Sequence, residues 1–412
     1  MYMKRNAILL CLFLLPILTG CYTAPDTPNP EFRNVQSFAQ LHLNEPSTVS
    51  DTESVIAAWI PYFTVEAMLT SDDPAQTENF VTAYLTSLMQ SGVNTVFVHV
   101  CAFGESSYPS EYYPYLPAAN GYDVMRLFSL TCEKLGLSFH AWINPLRLQT
   151  TEYIEAQSDD SLLQSWFQDS DARNSNFSEW NGRYFLNPAS ASTSEFLTGV
   201  ISELITTYHP DGIHIDDYFY PTTEPAFDEA EFRASGADDL TAWRRNHITV
   251  LMQQMYSAVH DADPEAVFSV SPQGNLAENQ NVQYADIPAW IGAEPYCDWI
   301  VPQLYFGYMN EKSPFDQLLR TWSELPRNDH VQLIVGLAAY KSGQPDSFAG
   351  TGANEWLETK NLLAEQAADA LGNTAVDGIA LYHADALQNL PAAQAAALRQ
   401  VIADHSILTQ AE

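Results

Sequence analysis

The stretch Asp211-Gly212-Ile213-His214-Ile215-Asp216-Asp217-Tyr218-Phe219-Tyr220-Pro221 holds the residues best suited to chemistry. A Pro-Asp-Gly turn at 210–212 opens it, Ile213, His214 and Ile215 alternate, and two adjacent acids and an aromatic run close it. Turn residues, then period-two apolarity, then abrupt polarity describe a strand that delivers its last side chains to a pocket. A paired carboxyl can divide acid and base work, because burial and mutual repulsion split the two pKa values. Alternation puts Asp216 on the side of His214, which makes it the candidate nucleophile or base. Asp217 falls on the other face unless the strand ends there and turns it in. It could then act as acid, or fix a loop by hydrogen bonds. For an isolated Asp-Asp the ordinary alternative is an exposed loop start.

Other segments repeat the design. One ends Phe103-Gly104-Glu105, and Glu105 is a further candidate acid. Others read His140-Ala141-Trp142-Ile143-Asn144-Pro145, Ser271-Pro272-Gln273-Gly274, Pro302-Gln303-Leu304-Tyr305-Phe306, Tyr340-Lys341 and Tyr382-His383-Ala384-Asp385. Aromatic rings beside carboxylates and amides suit sugars, whose C–H faces stack while their hydroxyls hydrogen-bond. Trp142, Tyr218 and Tyr220 are the candidate platforms, Asn144 and Gln303 the candidate hydroxyl readers, and Tyr305 a group that could orient an N-acetyl substituent. The alternative for each is packing in a core. His99, His140 and His214 recur at comparable depth near Asp216. They could hold zinc or form a buried hydrogen-bonded layer; their scatter over separate strands favours the layer, with no metal and no cofactor expected.

Positioning these residues takes eight apolar segments, 55–63, 94–103, 138–146, 212–219, 266–271, 298–306, 332–340 and 377–382. Their near-continuous hydrophobicity fits strands covered on the outside. Amphipathic helical patterns separate them at 77–91, 122–135, 194–208, 240–262 and 354–371, with a final one at 391–404 and short helices at 284–292 and 314–324. Alternation of β and α predicts a single-domain (β/α)8 TIM barrel over 53–405. An open doubly wound sheet is the competing fold, but no Gly-rich phosphate loop follows the first strand. Trp243-Arg244-Arg245-Asn246, early in helix 240–262, is expected to clamp the loop carrying Asp217 through Arg–carboxylate pairs.

The remaining composition narrows the function. The formal charge is −34, from 17 basic and 51 acidic side chains, which leaves nothing to neutralise phosphates and excludes nucleic acid as partner. The same charge repels anionic wall polymers, arguing for a neutral glycan or a locally shielded pocket. Cys101, Cys132 and Cys297 are odd in number and sit in apolar contexts, as buried free thiols do. Residues 1–21 carry Lys4 and Arg5, an apolar run too short to span a membrane, and Leu18-Thr19-Gly20-Cys21. That ending resembles a bacterial lipobox, at which Cys21 would be acylated; plain secretion is the alternative. The Pro- and polar-rich 22–52 reads as a flexible linker between a membrane anchor and the barrel, on the outer side of the membrane.

Several stretches in this order resemble the glycosyl hydrolase-like 10 family: Asn94–Val98, Tyr108–Pro114, His140–Pro145, Asp211–Pro221, Trp243–Asn246, Ser269–Pro272 and Pro302–Tyr305. The resemblance runs from about 55 to 385. It implies a (β/α)8 barrel in exported or lipid-anchored bacterial proteins, some of which act on the glycan strands of peptidoglycan. In the family pattern the second strand ends Val-Arg-Pro before Phe-Gly-Asp, whereas this chain has Val100-Cys101-Ala102-Phe103-Gly104-Glu105, so a pocket cation is expected to be missing. The expectation is a cell-surface glycoside hydrolase on a bacterial polysaccharide, by two carboxyl groups or with an N-acetyl group of the substrate as nucleophile. The alternative is a glycan-binding lipoprotein with a degenerate site. Oligomeric state is not legible.

Overall fold

The computed structural model describes residues 54–409 except 293 and 295. The expected signal segment, the linker and Cys21 lie outside the described residues.

The strands in chain order are β1 (Val55–Ile60), β2 (Thr95–Cys101), β3 (Ser138–Ile143), β4 (Arg147–Thr150), β5 (Phe177–Trp180), β6 (Arg183–Leu186), β7 (Gly212–Ile215), β8 (Val267–Val270), β9 (Trp299–Ile300), β10 (Gln332–Ala338) and β11 (Gly378–Tyr382). Eight of them close into a parallel barrel in the order β1-β11-β10-β9-β8-β7-β3-β2, the (β/α)8 architecture expected. Alternation sorts the side chains. Ile56, Ala58 and Ile60 of β1 join the layer under the helices, while Val55, Ala57 and Trp59 join Phe97, Trp142, Val301, Ile334 and Ala380 inside the barrel.

Helices begin where the chain supplies caps. Asp73 caps Pro74–Met89 by accepting from the Ala75 amide, three residues before the expected start. Asp123 caps Val124–Leu135, and Gly136 at φ 73° ends it. The expected helix 354–371 divides into Glu355–Glu358 and Leu362–Leu371.

The sequence reading missed two features that shape the mouth. The first strand stops at Ile60, because Pro61 has no N–H for the ladder, and a short helix, Tyr62–Met68, follows. After β3 the chain adds an antiparallel sheet of order β4-β6-β5. Its hairpin turns at Asn181-Gly182, with φ of 50° and 73°. Positive φ at both central residues is what a two-residue hairpin of the right twist needs, so Asn-Gly between β-rich runs was the available signal.

Candidate active site

The eight strands lift one set of side chains to their C-terminal ends, where a cavity of about 180 Å³ opens. Asp216, Asp217, Trp142, Asn144, Tyr218, Gln303 and Tyr305 line it, together with Trp59, Tyr62, Phe63, His99, Phe103, Arg147 and Tyr382.

β7 ends at Ile215, so Asp216 and Asp217 leave the pleat and both enter the cavity. Both are nearly buried, at 4% and 9% exposure. Burial lifts both carboxyls above their ordinary range. Asp216 is lifted well above it, further raised by Asp217 and only partly restrained by the Tyr218 amide, the Arg147 charge and the Trp142 indole. Asp217 receives side-chain amides from Gln273 and, at 3.4 Å and 3.5 Å, from Gln303 and Gln283. Those of Gln273 and Gln303 pull against its rise. Asp216 has one backbone donor, the Tyr218 amide at 3.3 Å. Donors stabilise the charged form, so the environment favours the proton on Asp216 and the charge on Asp217.

Beneath the acids the interior is locked. Trp59 Nε1–H donates to His214 Nε2 at 2.9 Å, which leaves Nδ1 to meet Ser269 Oγ at 2.8 Å. The His214 ring stacks on Phe97 with centroids 4.0 Å apart, and His99 stacks on Trp142 at 3.6 Å. Burial pushes His99 and His140 down to about 3 and His214 well below its usual value, so all three are neutral. Both His214 nitrogens are thereby occupied, and His140 stacks on Trp299 below the pocket. Among the described residues no group of three or more His, Cys, Asp or Glu is placed to hold a metal ion.

Gln303 also donates to the Ser271 carbonyl at 3.1 Å, so it braces Asp217 as well as facing the cavity. Trp142 Nε1–H donates to Asn144 Oδ1 at 3.2 Å, and Asn144 Nδ2 donates to the Ala102 carbonyl at 3.0 Å. Tyr305 stacks on Tyr382 with centroids 5.6 Å apart. Burial, Tyr382, Tyr340 and the two acids keep the Tyr305 phenol far above its usual value, hence a hydrogen-bond donor.

Two expected site residues lie elsewhere. Gly104, at φ 76°, turns the chain so that Glu105 leaves the barrel mouth and accepts from Gln149 Nε2 and the Tyr153 hydroxyl, at 2.6 and 2.5 Å. Tyr220 is buried against Phe227, Tyr284 and the Arg244 guanidinium. Arg244 does clamp the loop after β7, but through Asp228, with Nη2–Oδ1 at 2.6 Å, rather than through Asp217. Cys101, Cys132 and Cys297 are buried free thiols.

The pocket has the cation expected to be missing. Cys101 faces the outer layer, so its place in the second strand says nothing of the mouth; Arg147, from β4, lines the cavity instead. Tyr62 and Phe63 were missed with the helix that follows Pro61, and Trp59 with the inward face of β1. No periodicity in the sequence announced Arg147, because an insertion after the strand brings it in.

A parallel eight-stranded barrel whose mouth gathers paired acids, amides and stacked aromatics defines a glycosidase-like (β/α)8 protein. The chain belongs to the glycosyl hydrolase-like 10 family, whose model matches residues 56–351. It is similar to the glycosyl hydrolase DigH of Escherichia coli strain K12, 26% identical over 385 residues, 84% of this chain and 85% of that one. It is also similar to the glycosyl hydrolase YngK of Bacillus subtilis strain 168, 29% identical over 289 residues, 62% of this chain and 54% of that one. Among solved structures, α-L-fucosidase isoenzyme 2 from Paenibacillus thiaminolyticus superposes with a TM-score of 0.57 at 13% identity, over 85% of this chain and 49% of that one. An α-amylase from Anoxybacillus gives 0.51 at 9% identity, over 87% and 79%. At such identities the likeness is one of fold, and the chain spans about half the length of the fucosidase and of YngK.

Proposed function

We propose that this protein hydrolyses glycosidic bonds in a bacterial envelope polysaccharide, with the glycan strands of peptidoglycan as the substrate class. The observation that carries the reading is the entry of both Asp216 and Asp217 into one aromatic-walled cavity with opposed hydrogen-bond environments. Asp216, protonated, is the general acid toward the leaving oxygen; Asp217, held ionised by amides, orients the reacting group and stabilises positive charge at the sugar ring. Among the described residues lining the cavity these are the only carboxylates. They stand next to each other at one strand end, so they approach a sugar from one wall. Two carboxyls on opposite faces of the ring, as the usual schemes need, are not provided. A substrate N-acetyl carbonyl acting as nucleophile fits this one-sided arrangement, with Asp217 accepting from the amide N–H and the Tyr305 phenol orienting the N-acetyl group for attack. Trp142 and Tyr218 supply ring surface. Acylation at Cys21 would place the enzyme at the outer side of a membrane, beside such a polymer.

The test is release of reducing ends from purified, N-acetylated glycan strands by the wild type and by Asp216→Asn. Loss of release in the variant with retained binding supports the reading. Binding without any release by the wild type replaces it with a glycan-binding role.

A further inference from the structure

In a chain with 51 acidic and 17 basic side chains, an arginine at a polar mouth has every opportunity to meet a carboxylate. Arg147 and Arg183 meet none: neither forms an ion pair among the described residues. The Arg147 guanidinium lies 4.3 Å from the Tyr218 ring centroid and 5.0 Å from that of Phe103. Arg183 lies 5.1 Å from the same Phe103 ring and donates to the Leu148 carbonyl. The antiparallel register explains their meeting. Arg147 of β4 pairs with Phe185 of β6 and, past a register shift, Thr150 pairs with Arg183, which shares the Phe185 face of β6 two residues along.

Two cations converging on one ring raise each other's energy, and Arg183 is held below its usual value by burial and by Arg147. Aromatic faces pin a guanidinium and leave its N–H edge for a ligand. Arg147 donates to no carbonyl or carboxylate oxygen among the described residues; its hydrogen-bond partner is the Tyr218 phenol. It lines the same cavity as Asp216 and Asp217, and both acids feel its charge. A planar fork whose side-chain partner is the neutral Tyr218 phenol rather than a carboxylate, backed by a second cation, matches a planar or tetrahedral oxyanion. It also answers the long-range problem: a net charge of −34 repels anions from the surface, and a local pair of cations offsets this within the pocket.

We infer that Arg147, backed by Arg183, forms an anion subsite beside the paired acids, which takes an oxyanion substituent of the glycan, a carboxylate or a phosphate, carried near the cleaved bond. This rests on the hydrolase reading of the same pocket and narrows its substrate to acidic glycans.

The experiment is calorimetric titration of the full chain with three ligands: a β-linked N-acetylated disaccharide bearing one carboxylate substituent, its methyl ester, and the matching phosphate monoester. Wild type is expected to bind an anionic ligand about tenfold or more tighter than the ester, the effect of one charge-assisted pair. The preference should shrink with added salt. The stronger of the two anions identifies the source. Arg147→Gln should bring the ratio to about one, and Arg147→Lys, which keeps the charge but loses the fork, should retain part of it. Equal affinities in wild type, a preference surviving Arg147→Gln, or no binding of any of the three overturns the subsite. Reducing-end release is read in a separate assay, so a protein that discriminates charge yet releases no reducing ends fails only the hydrolase reading. One that cleaves acidic and neutral strands at equal rates fails only the subsite.

Discussion

Gln303 reaches Asp217 from the neighbouring region of the barrel, its side-chain amide 3.4 Å from the carboxylate, while the adjacent Asp216 receives no side-chain amide. Residues next to each other in sequence thus sit in unlike electrostatic surroundings. That difference, set by β7, the end of β8 and the segment after β9, is what can separate an acid from a base.

Asp216→Asn should lose on the order of 100-fold or more in the rate of reducing-end release, the usual contribution of a proton-transferring group. The same change should raise the melting temperature at pH 7. A carboxyl with a folded pKa above its ordinary value of 3.8 binds its proton more tightly folded than unfolded. The fold is therefore favoured below that value and loses stability as pH rises toward the folded pKa. An amide carries no such penalty. Calorimetric melting beside the rate assay checks both halves, and a lower melting temperature at pH 7 would contradict the account.

The pH profile of kcat/KM should be bell-shaped, with Asp216 setting the alkaline limb and Asp217 the acid limb. As the two interact, the limbs report values of the pair. Gln273→Ala removes a donor to ionised Asp217, which raises its pKa and should move the acid limb to higher pH. An unmoved acid limb would assign it to another group.

Arg244→Met should destabilise by about 3–5 kcal/mol, because it strands the buried Asp228 carboxylate. Both side chains of this pair are fully buried, and Arg244 also donates to the Glu224 carbonyl and the Tyr284 hydroxyl at 2.8 and 3.0 Å. The double variant with Asp228→Asn should recover part of the loss in denaturant midpoint. A single variant melting like wild type would mean the clamp carries no stability.

Cys21→Ser should shift the protein from the membrane to the soluble fraction, if the Leu18–Cys21 segment is processed as its residues suggest. Fractionation followed by mass analysis of the N-terminus reads this directly, and a soluble, unacylated wild type would end the anchoring proposal.

Hydrophobic periodicity alone determined the barrel: eight apolar runs alternating with amphipathic ones admit few other closed cores, and alternation within a strand put His140 and Trp142 on one face of β3. Periodicity speaks only while a regular element lasts. Asp217 reaches the pocket because β7 stops at Ile215, Glu105 leaves it because Gly104 turns the chain, and Tyr220 turns inward to Phe227 and Arg244 once the strand has ended. Arg147 enters from an added sheet whose partner strand is more than thirty residues away in sequence. Strand ends and long-range insertions are placed by packing against distant segments, and that placement, not the residue types, decided which acids share a cavity and which cation faces them.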